Sequence, residues 1–315
     1  MTELGYALSS EEHAPSALVR NAVRAEEIGF TFALISDHIH PWVDAQGHSA
    51  FVWSTIGAIA QATERLRLGT GVTCPMIRIH PAIVAHAAAT SAVLMKGRFF
   101  LGVGTGENLN EHVTGAKWPA PDERLEMLEE AVAVVRLLWE GGYQTHRGKY
   151  YTVEHTRIFD LPDDPIELAV AAMQPQAAEL AGRIGDSFVN VSPDEELVEK
   201  FDAGGAKGRN KYGQVTGCFA ESEEAAKTTV MDVWPTALVE GAASQELPYP
   251  EHFEQVSAAG NPDDLDMPLG PDPEPWLAQI KAFEQAGFTH VYLHQIGQDQ
   301  DAFFEFVAKS LLPQF

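Results

Sequence analysis

The sequence predicts one (β/α)8 barrel of the TIM type, with insertion segments over its C-terminal mouth. Apolar runs of strand length alternate with helical periodicities along most of the 315 residues. That rhythm makes parallel strands joined by helical crossovers. About eight strands can be counted, in a chain longer than the ~250 residues typical of such barrels. A faint internal echo adds to this: Ala25-Glu26-Glu27-Ile28-Gly29-Phe30-Thr31 returns as Phe283-Glu284-Gln285-Ala286-Gly287-Phe288-Thr289. In both, a helix closes on Gly and Phe-Thr opens a strand, as like units of one barrel would.

Each element has its own signal. Leu4 to Leu8 reads as the first strand. Pro15 opens a helix with Leu18, Ala22, Ala25 and Ile28 on one face, and Gly29 ends it. Phe30 to Ile35 follows as a buried strand, aromatic and aliphatic throughout. A helix over 54–62 leads to a strand over 67–72, and a helix over 81–94 to a strand over 99–103. Residues 123–139 form the clearest helix: Leu125, Leu128, Val132, Val135 and Leu138 recur at helical spacing, with acids near the start and Arg136 near the end. Residues 143–153, with Arg147-Gly148-Lys149 at their centre, read as a hairpin excursion. Further strands fall at 166–172, 187–191, 215–220 and 289–294, and a helix over 303–312 closes the chain. Residues 236–275 break the rhythm, being rich in Pro, Gly and acid. They read as an insertion over the mouth, so that residues 1–315 make a single domain.

Composition excludes several function classes. With 45% hydrophobic residues the chain can bury a large core, and no apolar run reaches the ~18 residues of a membrane span. Lys and Arg total 21 against 45 Asp and Glu, a formal charge of −24 that argues against a nucleic-acid partner. Cys74 and Cys218 are isolated, which fits a reducing cytoplasm and offers neither a disulfide framework nor a zinc spacing. The expectation is a soluble cytoplasmic protein acting on a small molecule.

Two polar clusters lie where such barrels put their chemistry, beyond the ends of interior strands. The first is Ser36-Asp37-His38 with Trp42. The second is Gly102-Val103-Gly104-Thr105-Gly106-Glu107-Asn108-Leu109-Asn110-Glu111. Its alternate glycines allow a flat ring or a phosphate to approach the backbone. The spacing is not the dinucleotide fingerprint, because Glu107 and Asn108 intervene. His38 and His40 invite a metal, but alternate residues of an extended chain face opposite ways, so no metal is expected. His48 and His112 read as surface residues. On the last strand His290 and His294 share a face, with His294 at the top as a pocket residue and His290 in the core. Trp118 and Trp139 read as packing residues, while Trp234 and Tyr249 are candidates to cover the mouth.

These pieces together resemble the luciferase-like flavin and deazaflavin enzymes, and within them the F420-dependent glucose-6-phosphate dehydrogenase group. Four stretches carry the resemblance: Ser36-Asp37-His38 with Trp42; Leu68-Gly69-Thr70-Gly71-Val72 with Pro75; Gly102 to Glu107 with Asn110; and Ala181-Gly182-Arg183 with Gly185-Asp186. The resemblance implies a homodimer of barrels with coenzyme F420 laid in each mouth. It implies that Asp37 contacts the coenzyme's polar edge or ribityl part, that His38 takes the substrate hydroxyl proton, and that Trp42 walls the pocket. An imidazole suits that proton transfer, its unperturbed pKa being ~6.5. Glu107 would lie near the coenzyme's N1 side and exchange a proton there, and Asn110 would hydrogen-bond the coenzyme near Gly106. A bulge after the third strand, with a non-prolyl cis peptide at Gly71-Val72, would lie beneath the ring.

The departures from the family pattern concern both ligands. Cys74 stands where the sugar-phosphate enzymes have Thr. Met173-Gln174-Pro175 replaces a Gly-Gly-Pro turn, which with Ala177 and Ala178 would seat the coenzyme phosphate on backbone N–H groups at a helix start. The Thr and Lys that hold the substrate phosphate map to Val191 and Asp194. Residues 250–270, where further cations are expected, contain no Lys or Arg. A dianion there would meet repulsion, which argues against glucose 6-phosphate and for a neutral alcohol or carbonyl compound. Coenzyme and chain are both anionic, so coenzyme affinity is expected to rise with salt. An FMN-dependent monooxygenase of the same superfamily is the alternative, and would want an Arg-based phosphate site. A non-catalytic flavin-binding relative would be expected to lose His38 and Glu107.

Overall fold

Eight parallel strands close on one another in the computed structural model, in the order β1 (Glu3–Leu8), β10 (His290–Gln295), β9 (Lys211–Gly217), β8 (Ser187–Asn190), β7 (Leu168–Ala171), β4 (Phe99–Val103), β3 (Arg67–Thr70) and β2 (Phe32–Ile35). The structure describes residues 2–239, 241 and 243–315. In chain order the elements are β1 (Glu3–Leu8), α1 (Pro15–Ile28), β2 (Phe32–Ile35), α2 (Val52–Ala62), β3 (Arg67–Thr70), α3 (Pro81–Leu94), β4 (Phe99–Val103), α4 (Asn108–Glu111) and α5 (Pro121–Trp139). Then come a hairpin of β5 (Gln144–Arg147) and β6 (Thr152–Thr156), β7 (Leu168–Ala171), α6 (Pro175–Ile184), β8 (Ser187–Asn190), α7 (Glu195–Phe201) and β9 (Lys211–Gly217). The last are α8 (Glu223–Val233), α9 (Ala243–Glu246), α10 (Pro250–Ser257), α11 (Pro273–Gln285), β10 (His290–Gln295) and α12 (Gln300–Phe306). Among the described residues no helix is long and apolar enough to cross a membrane.

The barrel is filled, not hollow. Phe32, Leu34, Phe100, Ala169, Val189, Tyr212 and Tyr292 point inward and pack together, the layered interior expected of this architecture. A larger apolar layer lies between strands and helices, where Leu18, Ala22 and Ala25 of α1 are buried as their spacing requires. Because the interior is plugged by these side chains, the space that opens from the barrel lies at its C-terminal mouth.

Element boundaries differ from expectation for local reasons. β2 starts at Phe32 because the Phe30 N–H donates to Ala25 O and closes α1, with Gly29 left-handed at φ 111°. β3 stops at Thr70, where the chain enters the cis peptide Gly71-Val72. β9 begins four residues before the expected 215, at Lys211. Lys211 Nζ is buried against Asp202 at 3.0 Å, and Tyr212 fills the barrel interior. The chain beyond Gly217 leaves the sheet, and Cys218 bridges to Leu269. α12 starts at Gln300 because Asp299 caps it by accepting from Ala302 N.

The segment expected to be an insertion, 236–275, holds α9 and α10, and α11 begins inside it at Pro273. Its residues Glu240 and Ala242 lie outside the described residues. Phe253 of α10 is fully buried, with its ring edge on Trp42 at 5.2 Å between centroids. Trp234 and Gln245 line the mouth. Tyr249 faces His112 instead and stays outside the cavity.

Candidate active site

A cavity of about 690 Å³ opens among the C-terminal ends of the strands. His38, Glu107, Trp42, Asp37, Gly71, Val72, Cys74, Gly106, Asn110, Gln174, Pro175, Ala177, Val191 and His294 all line it. The two polar clusters of the sequence therefore meet in one place.

His38 is gripped on one side and open on the other. Its Nδ1 lies 3.3 Å from Glu11 Oε1 and 3.3 Å from the His40 carbonyl. Both partners are acceptors, so in the neutral ring Nδ1 carries the hydrogen and Nε2 the lone pair. Nε2 faces Glu107, with Oε2 at 3.4 Å. The Trp42 ring tilts against the imidazole at 5.1 Å. Glu11 is itself fixed, accepting from Ser36 Oγ at 2.7 Å and Ser9 Oγ at 3.1 Å. Burial pushes the Glu107 carboxyl above its ordinary value, opposed by His38 and by Asn110. Asn110 Nδ2 donates to Glu107 Oε2 at 3.0 Å while its Oδ1 accepts from Ile39 N at 2.9 Å. Asn110 thus ties the His38 loop to the Glu107 loop.

Asp37 is an anchor. Its Oδ2 accepts from Thr73 Oγ1 at 2.7 Å and its Oδ1 from Arg78 Nη2 at 2.9 Å. Arg78 also bridges to Glu111, whose Oε2 accepts the Arg78 backbone N–H at 2.7 Å. This buried ionic cluster holds the chain that follows the Gly71-Val72 cis peptide against the loop after β2 and against α4. The glycines after β4 serve the same bulge: a side chain at Gly102 would collide with the Thr70 carbonyl, and one at Gly104 would reach Val72 Cγ2 at 2.9 Å. At Gly106, with φ +71°, it would reach Cys74 Sγ at 2.6 Å. What approaches these glycines is the protein's own β3 bulge. Gly104 and Gly106 line the cavity as well.

Two expected site residues do not reach the cavity. Ala178 is fully buried in the helix–strand core and its N–H already donates to Gln174 O at 2.9 Å, so it is not free to hold a phosphate. Asp194 caps α7, accepting from Glu196 N at 2.9 Å and Leu197 N at 3.2 Å, and is spent on the helix terminus. His40 turns away to the Leu109 carbonyl and, with His48 and His112, lies outside the cavity. His290 packs on Phe32 and Tyr212 inside the barrel. Trp139 packs with Nε1 donating to Ala85 O, whereas Trp118 stacks under Arg124.

Glu11, which meets His38, and Arg78, which meets Asp37, were not singled out in the sequence, and Glu111 was named only as part of its cluster. Glu12, which holds His294, and Asn190 at the end of β8 were missed too. The run Ser9-Ser10-Glu11-Glu12 right after the first strand carried a usable signal, since strand ends are where barrel chemistry sits. For an anionic cofactor tail, the start of α6 is suited. Gln174 gives it no side-chain cap, so N–H groups of its first turn at Gln176 and Ala177 remain to be satisfied at the cavity wall.

The luciferase-like monooxygenase family model matches residues 1–290. The chain belongs to this family. An F420-dependent glucose-6-phosphate dehydrogenase of Beutenbergia cavernae is 34% identical, covering 100% of the chain and 97% of that protein. An F420-dependent hydroxymycolic acid dehydrogenase of Mycobacterium tuberculosis is 36% identical, covering 99% of the chain and 88% of that protein. Among solved structures, an F420-dependent secondary alcohol dehydrogenase in complex with an F420–acetone adduct superposes with a TM-score of 0.90, at 28% identity and 98% coverage of each chain. The family's expected cis peptide is present at Gly71-Val72.

Proposed function

We propose that this luciferase-like chain is an F420-dependent oxidoreductase interconverting a neutral, non-phosphorylated alcohol and its carbonyl compound. When bound, F420 accepts the hydride from the carbinol carbon or returns one to the carbonyl. The observation that carries the assignment of the base is the pair of acceptors, Glu11 and the His40 carbonyl, at 3.3 Å from His38 Nδ1, which favours the tautomer whose Nε2 lone pair is offered to the cavity. His38 takes the hydroxyl proton at Nε2 in oxidation and gives it back in reduction. Glu107, 3.4 Å from that nitrogen, stabilises the imidazolium that results. The first turn of α6 and Gln174 would hold the coenzyme's phosphate, and the face built on Gly71, Val72 and Cys74 would support its ring.

Charge supports the neutral substrate. Among the described residues Arg124 is the one Lys or Arg lining the cavity, and it is held by Glu246 at 2.9 Å and the Trp118 ring at 4.4 Å. Asp37 and Glu111 are neutralised by Arg78, but Glu11, Glu107 and Asp122 line the same space, where a sugar phosphate would be repelled. Loss of the oxidised F420 absorbance on adding simple secondary alcohols, with no response to glucose 6-phosphate, is the expected result. Turnover of glucose 6-phosphate at comparable efficiency would overturn the reading of the substrate.

The partner we propose is a second copy of the chain. Phe51 before α2 and Ile83, Val93 and Leu94 of α3 are 59, 59, 42 and 40% exposed, an apolar surface that association would cover. Light scattering at the dimer mass supports this, and a monomer at micromolar concentration rejects it.

A further inference from the structure

Glu11 and Glu12 are neighbours in the chain, and each pins a different cavity imidazole. Glu11 meets Nδ1 of His38, and Glu12 Oε2 meets Nε2 of His294 at 2.9 Å. The second pair is the more enclosed, with side chains 3% exposed for His294 and 1% for Glu12. Glu12 is fully determined: its Oε1 accepts the Gly297 N–H at 2.8 Å, and its backbone carbonyl accepts from Gln298 Nε2 at 2.8 Å. The Trp234 ring stands edge-on to His294 at 4.6 Å. The carboxylate can only accept, so in the neutral ring the hydrogen sits on Nε2 and the lone pair on Nδ1. That Nδ1 is buried and meets no partner among the described residues.

A second unpartnered polar atom lies on the same cavity. Asn190, at the end of β8, is 2% exposed and lines it. Its Oδ1 accepts from Val191 N at 2.6 Å and Ser192 N at 3.0 Å, which fixes the orientation of the amide. Nδ2 is therefore a donor, and it too is buried without a partner. An orphaned acceptor and an orphaned donor, each costly to leave unpaired, mark a surface shaped for a polar ligand group.

We propose that His294, oriented by Glu12, is a specificity-determining residue that accepts a hydrogen bond from a second hydroxyl of the substrate. The substrate class is then a diol or polyol, or the corresponding hydroxyketone. Asn190, two strands away on β8, offers Nδ2 as a donor to another polar group of the same ligand. This rests on the oxidoreductase reading for its kinetic test but not for its binding test. His294 moves no proton in the reaction; His38 does.

Two probes sharing one secondary carbinol separate the cases: propane-1,2-diol, which has the extra donor, and 1-methoxypropan-2-ol, which lacks it. The wild-type enzyme is expected to favour the diol by about 10-fold or more in kcat/KM, the discrimination that a site built around a hydroxyl can deliver. In His294→Leu the ratio falls towards one while F420 titrates as in wild type. In Glu12→Gln the amide donates to Nε2, moves the ring hydrogen to Nδ1, and the ether gains on the diol. A wild-type ratio near one, or a ratio that survives His294→Leu, overturns the proposal. Nitrogen-15 NMR of histidine-labelled protein reads the same contact without coenzyme. The diol is expected to move one Nδ1 signal that is absent in His294→Leu, and the ether is not. That shift together with no F420 turnover would sink the oxidoreductase reading and leave this one standing; no shift sinks this one.

Discussion

Arg78 donates through Nη2 to Asp37 Oδ1 at 2.9 Å, with side chains 8% and 0% exposed, and the same guanidinium reaches Glu111 Oε1 at 3.5 Å. One cation thus neutralises two buried carboxylates and joins the loop after β2 to the bulge after β3 and to α4. Burial pushes the Glu111 carboxyl up while Arg78 draws it down. Arg78→Met is expected to cost about 3–5 kcal/mol, because the partners are left charged and unpaired. A clear drop in thermal midpoint with weakened coenzyme binding is the expected pattern. An unchanged midpoint would show that the cluster does not hold the bulge.

His38→Ala is expected to lower kcat by about 10²–10⁴-fold, the usual contribution of a positioned base. Coenzyme affinity should stay within a few-fold of wild type, since the imidazole is assigned to the substrate. Steady-state kinetics beside a coenzyme titration check both halves.

Glu107 predicts a pH dependence of stability. Burial raises its carboxyl above the ordinary value, so the folded state holds this proton more tightly than the unfolded chain does. Its contribution to stability is present at low pH and is lost as pH rises through the raised value. Glu107→Gln keeps an oxygen for Asn110 and removes the buried charge. Its gain in thermal midpoint over wild type should be larger at pH 8 than at pH 5. Equal gains at both pH values would contradict the assignment.

Gly102→Ala should destabilise by about 1–3 kcal/mol, since the added methyl meets the Thr70 backbone, which cannot turn aside. Chemical denaturation measures it. A neutral outcome would restore the idea that this glycine leaves room for a ligand.

Much of the fold was legible in the chain because buried strands and capped helices announce themselves locally. α3 and β4 fall at their expected residues, and Pro15 and Gly29 bound α1. β9 was displaced because Lys211 and Tyr212 read as polar, and only tertiary partners make them interior. In the site, His38, Trp42 and Glu107 stood out through residue type at strand ends. Arg78 and Glu11 did not, since their meaning comes from residues 41 and 25 positions away, Asp37 and Ser36. Asp194 was placed at the pocket only by mapping onto the family's phosphate-binding Lys, whereas the fold uses it to cap α7. The alternate glycines could not be assigned from sequence, because close approach by a ligand and close approach by a neighbouring strand ask for the same residue, and Gly104 and Gly106 meet the β3 bulge while lining the cavity.

A fluorescence titration of the purified protein with F420 and, separately, with FMN decides between the two coenzymes. Saturable binding of F420 and little of FMN is the expected result. Preference for FMN would contradict it, and with it the roles given to His38 and Glu107 in hydride transfer.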